Sequence, residues 1–417
     1  MEFRKKFDIV IAGGGIAGVA AALAAARRGK EVALIEKTAY FGGLATTGIV
    51  NVYLPLCDGY GHQVAFGLPE ELLLASQKYG PGYIPETWKN GKELHEWDRY
   101  RANFSPASFI LALDELLEKA GVEIWFDTVV IGAKTSGDRL KKIVVANKSG
   151  IGTIAAKCFV DATGDSDLAA FAGLKCHEDA NAMTTWVIEK RRRVTNPRSE
   201  LEEGIGVKVV GVTSLTANNL PKGVSGKIVT TSILNGRDAY RKLLADEYAA
   251  GSENRNTHYP LMVPAMATLR HTRCIDAKFA LKPGMEWTRF EDSVGIIADW
   301  RKPGYVWEIP YRTLIPKKLK GLLAAGRCTA AHGDAWEVTR VIPTAALTGE
   351  AAGVAAAIAV EEKITPDEVK MARLSSELHK NGVVLHFADL GLKRPDCTKR
   401  IDDSSSEVAA PEKKSKR

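Results

Sequence analysis

The chain has no run of about 18 apolar residues, the length a membrane-spanning helix needs. Thr344–Val360, TAALTGEAAGVAAAIAV, comes nearest, and Glu350 and two glycines interrupt it. The N-terminus shows no apolar stretch ahead of a cleavage site, so a cytoplasmic protein is the expectation. Cysteine is sparse: six residues, at Cys57, Cys158, Cys176, Cys274, Cys328 and Cys397, with no C-x-x-C spacing. That pattern excludes zinc ribbons and a local redox disulfide, and it suits reduced thiols. Charge of one sign is also missing. The 57 Lys and Arg nearly balance 50 Asp and Glu, and the two ends, MEFRKK and EKKSKR, carry much of the net +7. This mild basic excess fits a small acidic or phosphate-bearing ligand and does not argue for nucleic acid. The run Lys190–Arg193 reads as solvated surface.

What is present has the apolar fraction, 45%, of an ordinary globular protein long enough for two domains. FDIVIAG reads as a buried strand ending in glycine, Ala17–Arg28 as an alanine-rich helix, and VALIE as a second strand. Together they make a βαβ unit. A helix is expected over Ser108–Ala120. Three strands follow, EIWFDTVVIGAK, RLKKIVVANKSG and IGTIAAKCFVDATGD, with turn signals at Ser136-Gly137 and Ser149-Gly150. LKGLLAAGRC reads as a last buried strand. A helix opens at Pro343, and Thr365 and Gly382 bracket a further one over Pro366–Lys380.

The fold class is therefore α/β: a Rossmann-like nucleotide-binding domain, with a central parallel sheet and a β-meander, plus an inserted mixed α+β substrate domain. The expected division places 1–50, 105–174 and 306–362 in the first domain and 51–104 and 175–305 in the second. A helical extension covers 363–401, and 402–417 is a disordered tail.

Gly13, Gly15 and Gly18 form G-x-G-x-x-G between the first strand and its helix. Such glycines permit the tight turn, the approach of a pyrophosphate to the backbone, and close helix–strand packing. The helix N-terminus offers N–H groups and partial positive charge to the phosphates. Glu36 ends the second strand 18 residues beyond Gly18, where a carboxylate reaches a ribose hydroxyl. The acid favours FAD or NAD over NADP.

Further signals favour FAD. Phe41–Gly48, FGGLATTG, supplies a second glycine-rich contact soon after the second strand. A meander stands where an NAD dehydrogenase would add a helix. DATGD and GLLAAGR both end strands in glycine. A helix begins at Pro343, and its N-terminus could stabilise negative charge on a reduced ring. With these stretches, and with FSPASFILALDELLEKAGVEIWFDTVV and RVIPTAALTGEAAGVAAA, the sequence resembles the bacterial FAD-dependent oxidoreductase family. That family belongs to the two-dinucleotide-binding-domain flavoproteins with a glutathione-reductase-like FAD fold. The resemblance runs to about residue 360 and is weaker in the middle domain.

It implies that Gly13, Gly15, Ile16, Ala17 and Gly18 hold the pyrophosphate of FAD, and that Glu36 and Lys37 meet the adenosine ribose. Gly42, Gly43 and Leu44 would pass the pyrophosphate or flavin, and Val130 the adenine. Gly164 and Asp165 would lie near the dinucleotide, Gly326 and Arg327 near the ribityl chain, and Thr344 and Ala345 near the flavin pyrimidine edge. Many relatives carry an acid where this chain has Arg327.

Among groups beside the ring, His332 is the candidate acid/base. Arg340 and Arg270 are candidates to hold an acidic substrate, with His271 and Arg273 completing an anion site. Trp300, Trp307 and Trp336 read as core or pocket walls. Cys57 and Cys328 lack a neighbouring cysteine for disulfide-reductase chemistry. The expected function is hydride transfer to or from flavin N5 on a small organic substrate, with an electron acceptor that the sequence leaves open. An RNA-modifying flavoenzyme, an NAD dehydrogenase and a non-catalytic nucleotide-binding protein are the alternatives. Covalent attachment of the flavin and homo-oligomerisation are left open.

Overall fold

A computed structural model describes residues 2–82, 84, 102–179, 184–192, 200–211 and 224–394. The expected tail over 402–417, the last part of the extension and Arg193 lie outside the described residues. The first half contains β1 (Glu2–Ala12), α1 (Ile16–Ala26), β2 (Val32–Ile35), β3 (Val52–Tyr53), α2 (Leu68–Ser76), β4 (Ala102–Asn103), α3 (Pro106–Lys119), β5 (Glu123–Trp125), β6 (Val129–Ser136), β7 (Arg139–Asn147), β8 (Gly150–Asp161) and α4 (Asp167–Phe171). The second half contains β9 (Cys176–Glu178), β10 (Thr184–Lys190), β11 (Glu200–Glu202), β12 (Ile205–Gly211), α5 (Gly226–Ala249), β13 (Tyr259–Met262), β14 (Arg273–Ile275), β15 (Ser293–Ala298), β16 (Val306–Pro310), β17 (Leu322–Ala324), α6 (Gly333–Thr339), α7 (Ile342–Glu362) and α8 (Met371–Lys380).

A seven-stranded sheet organises the molecule. Its parallel part runs β5-β2-β1-β8-β17, and β6 and β7 join the first half of β8 as an antiparallel meander. The central strands are continuously apolar because helices or other strands cover both faces. Ile9 to Ala12 and Phe159 to Asp161 are all fully buried. The segment expected as one strand, EIWFDTVVIGAK, is two. Asp127 takes φ +46°, so the chain turns there. Before it, β5 pairs parallel to β2; after it, β6 pairs antiparallel to β7.

Helices α1 and α7 cross at very short range because small residues face each other. A methyl on Gly353 would stand 2.3 Å from the Ala21 carbonyl oxygen, and one on Gly349 2.2 Å from that of Ala17. A Gly353→Leu variant must separate these backbones. It is expected to lose about 1–3 kcal/mol, read as a lower urea midpoint at unchanged m-value. By length and composition α7 could cross a bilayer, but almost all of it is buried within the protein.

Two other elements differ from expectation. Thr365 caps only a short 3-10 turn, Pro366–Glu368; Val369 is extended, and α8 restarts at Met371. The segment between β17 and α7, for which no element is named from the sequence, contains α6. A separate antiparallel sheet, β11-β12-β10-β13, lies within 175–305 and packs on α5. Elements from the ranges expected to accompany it also join the main core. Helix α2 packs on α3 and α7, and a methyl on Gly295 of β15 would meet Leu347 of α7.

Arg191 is not solvated as its run suggested. It is 9% exposed and bonds Glu247 at 2.5 Å, beside His258, whose ring also contacts Glu189 and Glu247.

Candidate functional site

The parallel strands end together. β1 leads into Gly13, β2 into Glu36, β8 into Thr163-Gly164 and β17 into Gly326-Arg327. In open α/β sheets ligands bind beyond the carboxyl ends of the strands, at the point where the chain winds to opposite sides. Here β1 is that point, with β2 on one edge and β8 on the other. A cleft lies there.

The cleft is lined by Gly13, Gly15, Ile16, Ala17, Glu36, Lys37, Gly42, Gly43, Leu44, Val130, Gly164, Gly326, Arg327 and Ala345, all singled out from the sequence, and by Arg340. Gly18, Asp165 and Thr344 are not in this lining. Gly18 lies beneath the turn, where a methyl would come 1.8 Å from the Gly13 carbonyl oxygen. Asp165 turns to Arg327, and the buried Thr344 hydroxyl donates to Val338 O at 2.8 Å.

Glu36 does two jobs locally. Its Oε2 accepts from the Gly14 N–H at 2.7 Å, which holds the glycine turn, and its Oε1 accepts from the Thr38 N–H and hydroxyl, both at 2.8 Å. The turn is tied to the second glycine stretch as well, since Gly42 N–H donates to Gly14 O at 2.8 Å. Arg327 also faces the protein. Its guanidinium donates to Gly164 O at 2.5 Å, to Asp165 Oδ1 at 2.8 Å and to Leu269 O. The arginine that replaces the usual acid therefore fastens the β8 and β17 strand ends to each other.

One end of the cleft is basic. Arg340 bonds Glu337, whose other oxygen lies 3.0 Å from His271 Nε2. Burial pushes the Glu337 carboxyl up, but His271 and Arg340 overcome it and hold it at about 2. Burial lowers the Arg340 pKa from its ordinary value. Glu337 opposes that shift, and the like charges of Arg270 and Arg327 add to it. His271 stacks on Trp336, ring centroids 5.0 Å apart at 11°, and Trp336 donates to Arg327 O at 3.2 Å.

The expected anion trio is divided. Arg270 and His271 stand with Arg340 and Glu337. Arg273 is committed to Asp167 Oδ1 at 2.6 Å and Asp165 O at 2.7 Å. Asp167 lines the cleft, and burial, then Asp165 and Asp161, raise its carboxyl to about 6. His332 does not line the cleft. Its ring lies 4.1 Å from that of the exposed His177, and burial, then His177 and Lys282, lower its pKa. Trp300, Trp307 and Trp336 all donate to protein acceptors; none lines the cleft, and Trp307 and Trp336 lie in the buried core. The five described cysteines are free thiols.

Sequence reasoning missed Glu337, Thr47, Met266 and Asp167. The signal for Thr47 was its place in FGGLATTG; nothing in sequence singled out Glu337 from other acids near Arg340.

A family model described as FAD dependent oxidoreductase matches residues 8–192 and 283–378. Among solved structures, the chain is similar to a geranylgeranyl bacteriochlorophyll reductase-like protein from Thermoplasma acidophilum. The two are 14% identical over 91% of this chain and 83% of that one, with a TM-score of 0.50. It is also similar to the p-nitrophenol 4-monooxygenase PnpA from Pseudomonas putida DLL-E4, at 13% identity over 90% of this chain and 84% of that one, with a TM-score of 0.49. No curated protein matches the chain.

Proposed function

The chain belongs to the FAD-dependent oxidoreductase family, and from that premise we propose that its FAD lies along the cleft and that the enzyme oxidises or reduces a small organic acid held at the basic end. The residues fit the cofactor. A methyl on Gly15 would meet no protein atom within 4 Å, so this side of the turn is clear for a phosphate. Glu36 stands in the cleft wall with one acceptor site left, on Oε2, for a ribose hydroxyl.

When bound, FAD supplies hydride acceptance or donation at its N5. The chain supplies position and electrostatics. Gly13, at φ +98° against the Ala162 carbonyl, makes the tight turn, Gly15 lets the pyrophosphate approach, and Glu36, Lys37 and Val130 frame the adenosine end. The observation that carries the substrate reading is Arg340, a partly buried guanidinium in the cleft wall, with the like charges of Arg270 and Arg327 disfavouring its own. An entering carboxylate would relieve that repulsion and accept charge-assisted hydrogen bonds. Glu337 and His271 hold the guanidinium in place. His332 has no part in this reading because it does not line the cleft.

Titration of the purified holoenzyme with acetate, pyruvate and benzoate, followed by flavin absorbance, tests it. Wild type is expected to show a saturable perturbation with at least one of them. Arg340→Ala is expected to weaken that binding by roughly 10- to 100-fold. Equal affinities in the two proteins would exclude Arg340 as the carboxylate holder.

A further inference from the structure

We infer that the Thr47 hydroxyl is a hydrogen-bond partner of the isoalloxazine ring of bound FAD. Thr46 and Thr47 are adjacent, yet the structure uses them differently. The Thr46 hydroxyl donates to Phe41 O at 2.6 Å and so braces the glycine turn. The Thr47 side-chain oxygen is buried and, among the described residues, has no hydrogen-bond partner. Thr47 is 3% exposed and lines the cleft. Leaving a buried hydroxyl unpaired is costly, so such a group in a ligand cleft marks a contact that the ligand completes.

Its position selects the part of the ligand. Glu36, Lys37 and Val130 frame one end of the cleft, and Thr47 belongs to the other. It follows Leu44 and Ala45 in the lining, and its carbonyl accepts from the Ala265 N–H at 2.9 Å, next to Met266, which also lines the cleft. Thr47 thus sits where the second glycine-rich stretch of the cofactor domain meets the Ala265-Met266 segment of the expected substrate domain. The ring of an extended FAD would occupy that end, so this inference rests on the cofactor placement above and is independent of the substrate's identity.

The experiment compares wild type, Thr47→Val and Thr47→Ser, each reconstituted with FAD. Valine keeps the shape and removes the hydroxyl; serine restores it. Thr47→Val is expected to shift the flavin absorption bands and to change the ratio of oxidised to reduced cofactor by roughly tenfold at fixed potential. That corresponds to about 30 mV for a two-electron couple. Thr47→Ser is expected to return both towards wild type. The apoprotein of Thr47→Val should melt no lower than wild type, since no protein contact is lost; a clear loss would assign the hydroxyl to the fold and overturn the inference. An unchanged spectrum and midpoint potential in Thr47→Val would overturn it too, as would a variant that changes only substrate KM. Failure of the cofactor placement itself is read separately, from a Gly15→Val protein that still retains FAD.

Discussion

Gly15→Val is expected to fold normally and to lose FAD. Gly15 has φ −65° and ψ 176°, an extended conformation that any residue adopts, and a methyl there meets no protein atom within 4 Å. The protein therefore has no need of glycine at this position; the ligand does. Valine would place its branches where the pyrophosphate must lie, against backbone that cannot withdraw because Gly14 and Gly42 are hydrogen-bonded behind it. Overpacking of that kind costs about 3 kcal/mol, or roughly a hundredfold in affinity. Fluorescence titration of the apoprotein with FAD measures it, and the circular dichroism melt should match wild type. Gly18→Ala makes the contrast. Its methyl would lie 1.8 Å from the Gly13 carbonyl oxygen, so it should lower the melting temperature of the apoprotein. Wild-type affinity in Gly15→Val would move the cofactor out of this cleft.

Stability is expected to fall as pH rises from about 4.5 to 7, and Glu350 is the cause. This residue of α7 is 1% exposed. Its oxygens accept from the Leu68 N–H at 2.8 Å and from the Asn381 side-chain amide at 2.9 Å, which joins α7 to the start of α2 and the end of α8. Burial raises its carboxyl from 4.5 to about 7, more than the two donors lower it, with Glu71 adding to the rise and Arg27 opposing it. The folded state then holds a proton that the unfolded chain releases. That contribution is fully present below about 4.5 and is lost as pH rises through about 7. The linked free energy is about 3 kcal/mol. Urea unfolding at a series of pH values should show this slope in wild type, and Glu350→Gln should flatten it between about pH 6 and 7, above the range of the raised Asp167 carboxyl. A wild-type slope retained in Glu350→Gln would place its source elsewhere.

Residues with a local reason to exist were legible in the sequence. Gly13, Gly15, Glu36 and the strand-end glycines Gly164 and Gly326 belong to motifs of a few residues, because a phosphate or ribose contact at a strand end is made by adjacent backbone. The βαβ unit and the meander were legible for the same reason, through apolar runs and turn pairs. The surroundings of Thr47, Glu337 and Arg273 were not. Thr46 and Thr47 are chemically identical neighbours, and only the direction of each hydroxyl separates a brace from an open contact. Arg270 and Arg273 lie three residues apart in one basic stretch, but the first stands by Arg340 and the second is taken by Asp167. His332 has the right chemistry and chain position, yet α6 places it beside His177.

By itself, then, the sequence determined the nucleotide-binding turn, the class of fold and FAD as the cofactor, all of which depend on short-range order along the chain. The tertiary structure decided which end of the cleft is basic, which threonine faces it, and that Arg327 locks two strand ends instead of reaching outward. Those outcomes depend on groups far apart in sequence, as with Arg327 and Asp165 or Glu350 and Leu68. Burial makes such partners decisive. Once water is excluded, each charge or hydroxyl must find whichever group the packing brings near, and residue spacing carries no record of that choice.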